Sequence, residues 1–204
     1  MVYSFKHMKE QLIKKFEHMK ISKKIIDAFK KVPRENFVLP EWKEMAYDDN
    51  ALPILAEQTI SQPSTVVLML DALETKKGMK VLEIGAGSGY NAALLSKIAR
   101  KVITIERIKE LADFARKNLK EYKNVKVVCA DGKKGYAKEA PYDRIIVTAG
   151  GKKIPPALLK QLKDDGVLLM PVGPEYGQQL IRVRRKGKDY LYEKLGGYIF
   201  VPLR

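Results

Sequence analysis

The chain has 204 residues, 46% of them hydrophobic, enough for one α/β domain with a sizeable core and too apolar for disorder. No apolar run approaches a membrane span, and the amino-terminal "MVYSFKHMKEQLIKKF" is broken by charge where a signal peptide has its apolar centre, so a cytoplasmic protein is expected. The net charge of +15 raises nucleic acid as a partner, but the excess sits at the ends, nine Lys against three acids in residues 1–31 and seven basic groups against two acids in residues 180–204, with few aromatics interleaved.

Residues 4–19 and 22–31 place Phe5, Met8, Leu12 and Phe16, then Ile25, Ile26 and Phe29, at helical spacing. Ser22 is the expected N-cap of the second helix and Pro33 its stop. His7 and His18 fall on the first helix, roughly 16 Å apart along its axis, too far to share an ion, so they read as surface side chains and no metal site is expected. Pro33, Pro40, Pro53 and Pro63 mark residues 33–63 as irregular. Within that stretch Asp48-Asp49 reads as a capping or turn pair. The segment "LAEQTISQPST" (55–65), polar at its centre, reads from its own residues as a linker.

After Pro63 a helix, "STVVLMLDALE", ends near Gly78, and a regular alternation begins. "KVLEIG" is a strand, "YNAALLSKIA" a helix, "KVITIE" a strand, "IKELADFARKNLKEY" a helix and "VKVVCA" a strand, in which the lone Cys129 reads as buried. "YDRIIVTAG" is a strand, "PPALLKQL" a helix and "GVLLMPVG" a strand. Continuous apolar strands alternating with helices predict a parallel sheet covered on both faces. "QQLIRVRR", "KDYLYEKL" and "GYIFVPL" then predict three antiparallel strands, with Tyr190, Tyr192, Tyr198 and Phe200 as core aromatics.

In such a sheet ligands bind beyond the carboxyl ends of the strands. The first strand ends in "LEIGAGSGYN", whose Gly85, Gly87 and Gly89 let the backbone turn sharply against a ligand, and Glu106 closes the next strand where a carboxylate accepts both hydroxyls of a ribose. A dinucleotide fingerprint would need a small residue where Tyr90 stands, and Glu83 would repel a pyrophosphate. An acid suits a ligand carrying an ammonium and a sulfonium, which points to S-adenosyl-L-methionine, with Asp131 and Gly132 at the adenine edge.

At these residues the chain resembles a family, the protein-L-isoaspartate O-methyltransferases. "VPRENFV", "AYDDNALPI", "QTISQP", "VLEIGAGSGYNAALL", "ERIKEL", "ADG", "APYDRIIVTAG", "IPPALLKQLKDDGVLLMPVG", "QQL" and "FVPL" stand in family order and cover nearly everything from Val32 to Leu203. The resemblance implies a Rossmann-like, doubly wound, mostly parallel fold in one domain: residues 1–62 as helical cap and active-site loop, 63–175 as cofactor-binding core and 176–204 as antiparallel strands. It implies methyl transfer from S-adenosyl-L-methionine to the free α-carboxylate of L-isoaspartyl residues in damaged proteins and peptides. Their repair would then pass through a succinimide. Ser61 would be the catalytic hydroxyl; Thr59, Ile60, Thr148 and Ala149 would bind substrate. Glu83, Gly85, Ala86, Gly87, Gly89, Glu106, Arg107, Asp131 and Gly132 would bind cofactor, and a monomer is expected.

Two positions depart from the family pattern. Glu57 stands before "QTIS" where glycine is usual, so either φ there is ordinary or the loop is shifted; and Pro63 is followed by Ser64 and Thr65 where some members carry a histidine. The competing readings are an RNA methyltransferase, favoured by the charge but lacking an Asn/Asp-Pro-Pro-aromatic run where "VTAGG" stands, and a non-catalytic protein that keeps the cofactor pocket.

Overall fold

A computed structural model describes residues 5–174 and 177–203. The expected helix start at residue 4 and the expected boundary at 175–176 lie outside those residues. Helices α1 (Phe5–His18) and α2 (Lys23–Lys31) pack through Leu12, Phe16, Ile25, Ile26 and Phe29, the stripe that helical spacing predicts, although Phe5 is exposed. Ser22 sits at the N-cap of α2, yet its hydroxyl caps nothing. It donates instead to Asp71 at 2.5 Å, on the helix α3 (Pro63–Ala72), so α2 is pinned to α3. Asp49 fills the capping role expected of its pair, because Ser64 N and Oγ at the start of α3 donate to its carboxylate at 2.8 and 2.5 Å.

Strands β3 (Lys80–Ile84), β4 (Lys101–Glu106), β5 (Val125–Cys129), β6 (Tyr142–Val147) and β7 (Leu162–Val172) are parallel, and β8 (Gln178–Lys186) and β9 (Asp189–Tyr198) continue the sheet antiparallel. The order is β5-β4-β3-β6-β7-β8-β9, so the chain leaves β3 first toward β4 and later toward β6. That reversal opens a crevice at the carboxyl end of β3. Period-two alternation sends Val81 and Val102 to one face, where α1–α3, α4 (Tyr90–Ser96) and α5 (Lys109–Asn118) cover them. Leu82, Ile84, Ile103 and Ile105 go to the other, packed with Leu158 of α6 (Pro156–Lys160). No helix among the described residues is long and apolar enough to cross a membrane.

Four sequence expectations are corrected. Cys129 is exposed, because β5 is an edge strand paired only with β4. The stretch after Tyr198 is no third strand: it leaves the sheet and meets it again only at a parallel bridge between Gly150 and Pro202. Tyr192 is 61% exposed on the outer strand, whereas Phe200 is buried. β7 starts at Leu162, four residues before Gly166, with Asp165 at φ +56° in the irregular segment that the helix was expected to adjoin.

The region 33–63 contains a two-stranded hairpin, β1 (Leu52–Pro53) with β2 (Thr59–Ile60). Its turn is closed by Gln58 N donating to Leu55 O at 3.2 Å, and both central residues are left-handed, Ala56 at φ +54° and Glu57 at +55°. Two positive φ values are the signature of the type I′ turn that suits a hairpin's twist. The position is therefore not ordinary in φ; a non-glycine residue occupies a conformation that glycine takes without a Cβ clash. Glu57→Gly should stabilise the fold by roughly 0.5–1 kcal/mol, the left-handed penalty less glycine's extra chain entropy. Urea unfolding midpoints check this, and a lower midpoint for the variant would show that the turn is not strained at Glu57.

Candidate active site

The crevice at the end of β3 is lined by the loop 84–88, by Ile105 to Ile108 at the end of β4, by Leu111 of α5, and by Gln58 to Ser61 with Val66 and Met69 across from them. The glycine loop is lashed to β4: Gly85 N and Ala86 N both donate to Ile105 O, at 2.8 and 3.1 Å. Gly85 has φ +98°, and a Cβ there would come within 2.6 Å of Thr148 Oγ1. Gly89 serves packing instead, since a Cβ there would meet the Leu119 side chain at 2.8 Å.

Glu106 lies at the crevice wall, 8% exposed. One carboxylate oxygen accepts from Gly87 N and the other from Ile108 N, each at 3.0 Å. Two amides fix the carboxylate without using all its lone pairs, so it still presents acceptors to a ligand's hydroxyls. Gly85, Ala86, Gly87, Arg107 and Gly132 also line the cavity. Gly89 and Asp131 do not; Asp131 accepts from Lys133 N at 3.0 Å and caps the short 3₁₀ turn Gly132–Lys134.

Glu83, expected to face a cationic ligand, stands behind the cavity wall with no exposed surface. Alternation places it on the α4 side of β3, beside Thr104 of β4. Its Oε1 accepts from Asn91 Nδ2 at 2.6 Å, and its Oε2 and the Thr104 hydroxyl are buried without partners. Burial pushes the Glu83 carboxyl up to about 7, with the nearby Glu106 adding to the rise and the hydrogen bond from Asn91 opposing it. Asn91, which the sequence reading passed over, is the group that reaches the cavity.

Across from the glycine loop stand Thr59, Ile60 and Ser61, with Thr148 and Ala149 beyond β6. Thr148 Oγ1 lies 2.8 Å from Gly85 O and is committed to the loop, but the Thr59 and Ser61 hydroxyls have no partner among the described residues. Thr59, Ser61 and Thr148 also line a second, more polar recess together with Ala51, Gln62, Thr65 and Ile199. These three hydroxyl residues, with Phe200, Val201 and Pro202, form the wall that the two cavities share.

Residues 200–202 line both cavities as a strap, with Leu203 on the first alone, a role missed when "GYIFVPL" is read as a strand. Gly150 N donates to Val201 O at 2.8 Å and Leu203 N to Gly150 O at 2.7 Å. The buried Gln178 exchanges both amide bonds with the Phe200 backbone, at 2.8 and 3.3 Å. Tyr90 forms part of the wall, and the buried Arg34 lies over its ring at 5.2 Å, tying residues 34–50 to α4. Burial lowers the Arg34 guanidinium to about 10, and its Nε donates to Ala46 O at 2.7 Å.

Comparison with known proteins adds four findings. The profile of the protein-L-isoaspartate(D-aspartate) O-methyltransferase family matches residues 6–204. A protein-L-isoaspartate O-methyltransferase of Dictyoglomus turgidum is 48% identical over 204 residues, 99% of this chain and 92% of that one. A solved protein-L-isoaspartate O-methyltransferase superposes with a TM-score of 0.86 at 30% identity, over 95% of this chain and 65% of its own, so this chain spans about two thirds of that structure's length. One from Plasmodium falciparum, in complex with S-adenosyl-L-homocysteine, gives 0.84 at 25% identity over 95% and 97% of the two chains.

The Glu83 environment makes a stability test. Its carboxyl is held near 7 in the fold against an ordinary 4.5, so the folded chain binds that proton more tightly than the unfolded one. Its contribution is most favourable below about pH 4.5 and declines as pH rises toward 7. Glu83→Gln cannot ionise and escapes that decline. Its unfolding free energy relative to wild type should therefore gain on the order of 3 kcal/mol between pH 4.5 and 8. Urea titrations at both pH values measure it, and a pH-independent difference would mean that Glu83 titrates as an exposed acid does.

Proposed function

The chain belongs to the protein-L-isoaspartate(D-aspartate) O-methyltransferase family, and from that premise we propose that it methylates the free α-carboxylate of L-isoaspartyl residues with S-adenosyl-L-methionine as donor. The observation that carries the reading is the partition of Thr59, Ser61 and Thr148 between a glycine-loop cavity and a second recess. The donor takes the first and the peptide carboxylate the second, and the methyl group crosses beside Ser61. The donor fits the residues present. Glu106, its carboxylate anchored by two amides, has lone pairs left for a ribose diol, and Ile105, Ile108 and Leu111 offer apolar walls for a flat base.

When bound, S-adenosyl-L-methionine supplies a methyl group on a sulfonium, open to in-line displacement. An α-carboxylate has a pKa near 3.3–3.7 and is already ionised at neutral pH, so the chain needs no general base. Ser61 donates a hydrogen bond that aims one carboxylate oxygen, and Thr59 stands beside it on the wall that both cavities share. The strap at residues 200–203 keeps water from the cavity. Alignment of this kind supplies several kcal/mol, up to roughly 7–11 in ideal cases. The neighbouring backbone amide nitrogen then attacks the ester carbonyl and displaces methanol, giving the succinimide, a step that belongs to the substrate. The same reading makes the protein a cytoplasmic monomer, with residues 1–62 as the cap and no specific nucleic-acid partner.

Isoaspartyl and aspartyl peptides differ by one methylene in where the carboxylate sits, and a displacement of about 1 Å costs on the order of a hundredfold in a site that works by alignment. A radiolabelled methyl-transfer assay should label the isoaspartyl peptide and leave the aspartyl form near background. It should label tRNA no better than a blank at about 150 mM salt, where weak phosphate contacts are screened. Equal labelling of both peptides, or strong labelling of tRNA, rules the repair reading out. Ser61→Ala should lower kcat at least about tenfold while cofactor affinity stays within about threefold. Unchanged kcat at saturating peptide would remove Ser61 from the reaction.

A further inference from the structure

The basic excess at the two ends of the chain leaves out a third concentration of charge, which only the fold assembles. The turns that enter the parallel strands β3, β4 and β5 meet at the amino edge of the sheet, opposite the crevice. These turns, residues 73–79, 97–100 and 119–124, carry Lys76, Lys77, Lys97, Arg100, Lys120 and Lys123, all exposed. Two acids stand among them. Glu74 is taken by Arg182 and Arg184, which leaves Glu121 alone against six cations. None of the six has an ion-pair partner among the described residues. We propose that this edge is a docking surface for the phosphodiester backbone of nucleic acid, bound without regard to base sequence and without methyl transfer to it.

The three turns are laced into one surface. Arg100 N donates to Met79 O at 2.9 Å and Arg100 Nε to Gly78 O at 3.1 Å. Asn124 Nδ2 reaches Ser96 O at 2.9 Å and Ala99 O at 3.2 Å. The backbone therefore holds the like charges together while most of the long side chains stay in solvent. Farther along the same edge the fold does neutralise its cations: Glu139 takes Lys101 and Lys126, and Asp143 takes Lys163. The bare corner is thus a local choice, not a uniform property of the surface.

What the corner lacks narrows the partner. Large exposed apolar side chains, which would enter a lipid surface, stand elsewhere among the described residues. Tyr122 is half-buried with Lys97 Nζ over its ring at 4.7 Å, so no bare ring is offered to a base or a side chain. Neither cavity reaches these turns. Five of the six cations are lysines, compact point charges that meet phosphate oxygens from any side, whereas a carboxylate is matched best by the planar fork of arginine. Recognition by charge alone, driven by release of counterions, suits a phosphodiester chain. The five residues of β3 span about 16 Å, so nucleic acid at the amino edge leaves the crevice open to a peptide.

Fluorescence anisotropy with a labelled DNA duplex of about 20 base pairs and a labelled RNA strand of about 20 nucleotides tests this. Wild-type protein should bind both and lose about a hundredfold in affinity from about 50 to about 200 mM salt, and the tighter of the two names the natural source of the phosphates. Lys77→Glu, Lys97→Glu and Lys120→Glu combined, one reversal per turn, should weaken binding about fiftyfold or more at the lower salt and flatten the logarithmic salt slope by about two to three. The same three positions changed to glutamine should flatten the slope equally, which keeps the test decisive if the glutamates unfold the chain. Lys6→Glu, Lys14→Glu and Lys31→Glu combined alter the net charge as much on α1 and α2, and should cost less than about fivefold. Equal losses in the two glutamate triples would assign the binding to net charge and overturn the proposal. So would affinity independent of salt, or displacement of the nucleic acid by polyglutamate or phosphatidylserine vesicles at a lower charge concentration than unlabelled DNA requires.

Discussion

The two amides that converge on Glu106 hold the cavity open. A glycine-rich loop has no preferred shape of its own, because glycine enters left- and right-handed backbone alike. Here the loop takes one shape because the end of β4 dictates it: Ile105 O receives Gly85 N and Ala86 N, and the Glu106 carboxylate receives Gly87 N. The parallel register that sets Ile84 beside Ile105 puts β4's last residue in reach of the loop. Burial of Val81 to Ile84 and Val102 to Glu106 then makes that register hard to slip, since a one-residue shift would turn the apolar faces over.

The opposite wall has a different origin. Asp49 clamps the start of α3 through Ser64 and also pairs with Lys15 of α1 at 2.5 Å, so the loop bearing Thr59 and Ser61 leads into a helix fixed from the cap side. The strap comes from the far end of the chain and is fixed by Gln178 and Gly150. Two segments distant in sequence, that loop and the strap, therefore converge on one wall, and neither belongs to the parallel sheet.

This division decides what was legible in the sequence. The glycine loop and Glu106 depend on strand length and local order, which apolar runs reveal, so both were readable from spacing alone. Ser61 was not: nothing in "LAEQTISQPST" distinguishes a wall from a linker, and only the family resemblance singled it out. Glu83 was placed in the cavity because an acid at a strand end suggests a ligand, yet the alternation Val81-Leu82-Glu83-Ile84 already sets it on the face of Val81, toward α4. Cys129 was misread because an edge strand carries the same apolar letters as a central one. The strap was misread because alternating apolar residues look alike in a strand and in a segment that lines a cavity, although Gly196 at φ +133° marks where the outer strand loosens.

The placement of charge finally explains why an anionic nucleophile can be used at all. A carboxylate approaching a wall of carboxylates would be repelled, by several kcal/mol at close range in a water-poor site. Among the described residues the only acid lining the glycine-loop cavity is Glu106, anchored at the end of β4; Glu83 is sealed behind Asn91, and Glu57 is exposed on the hairpin turn. The wall that the two cavities share carries neutral hydroxyls beside Phe200, Val201 and Pro202, and two of those hydroxyls are free to donate. On the proposed reading, the acid near the cationic donor is thus kept to one side, and the hydrogen-bond donors that would orient the anionic acceptor stand on the other. The sulfonium and the carboxylate attract one another across that boundary without a base, a metal or a covalent intermediate being required of the protein.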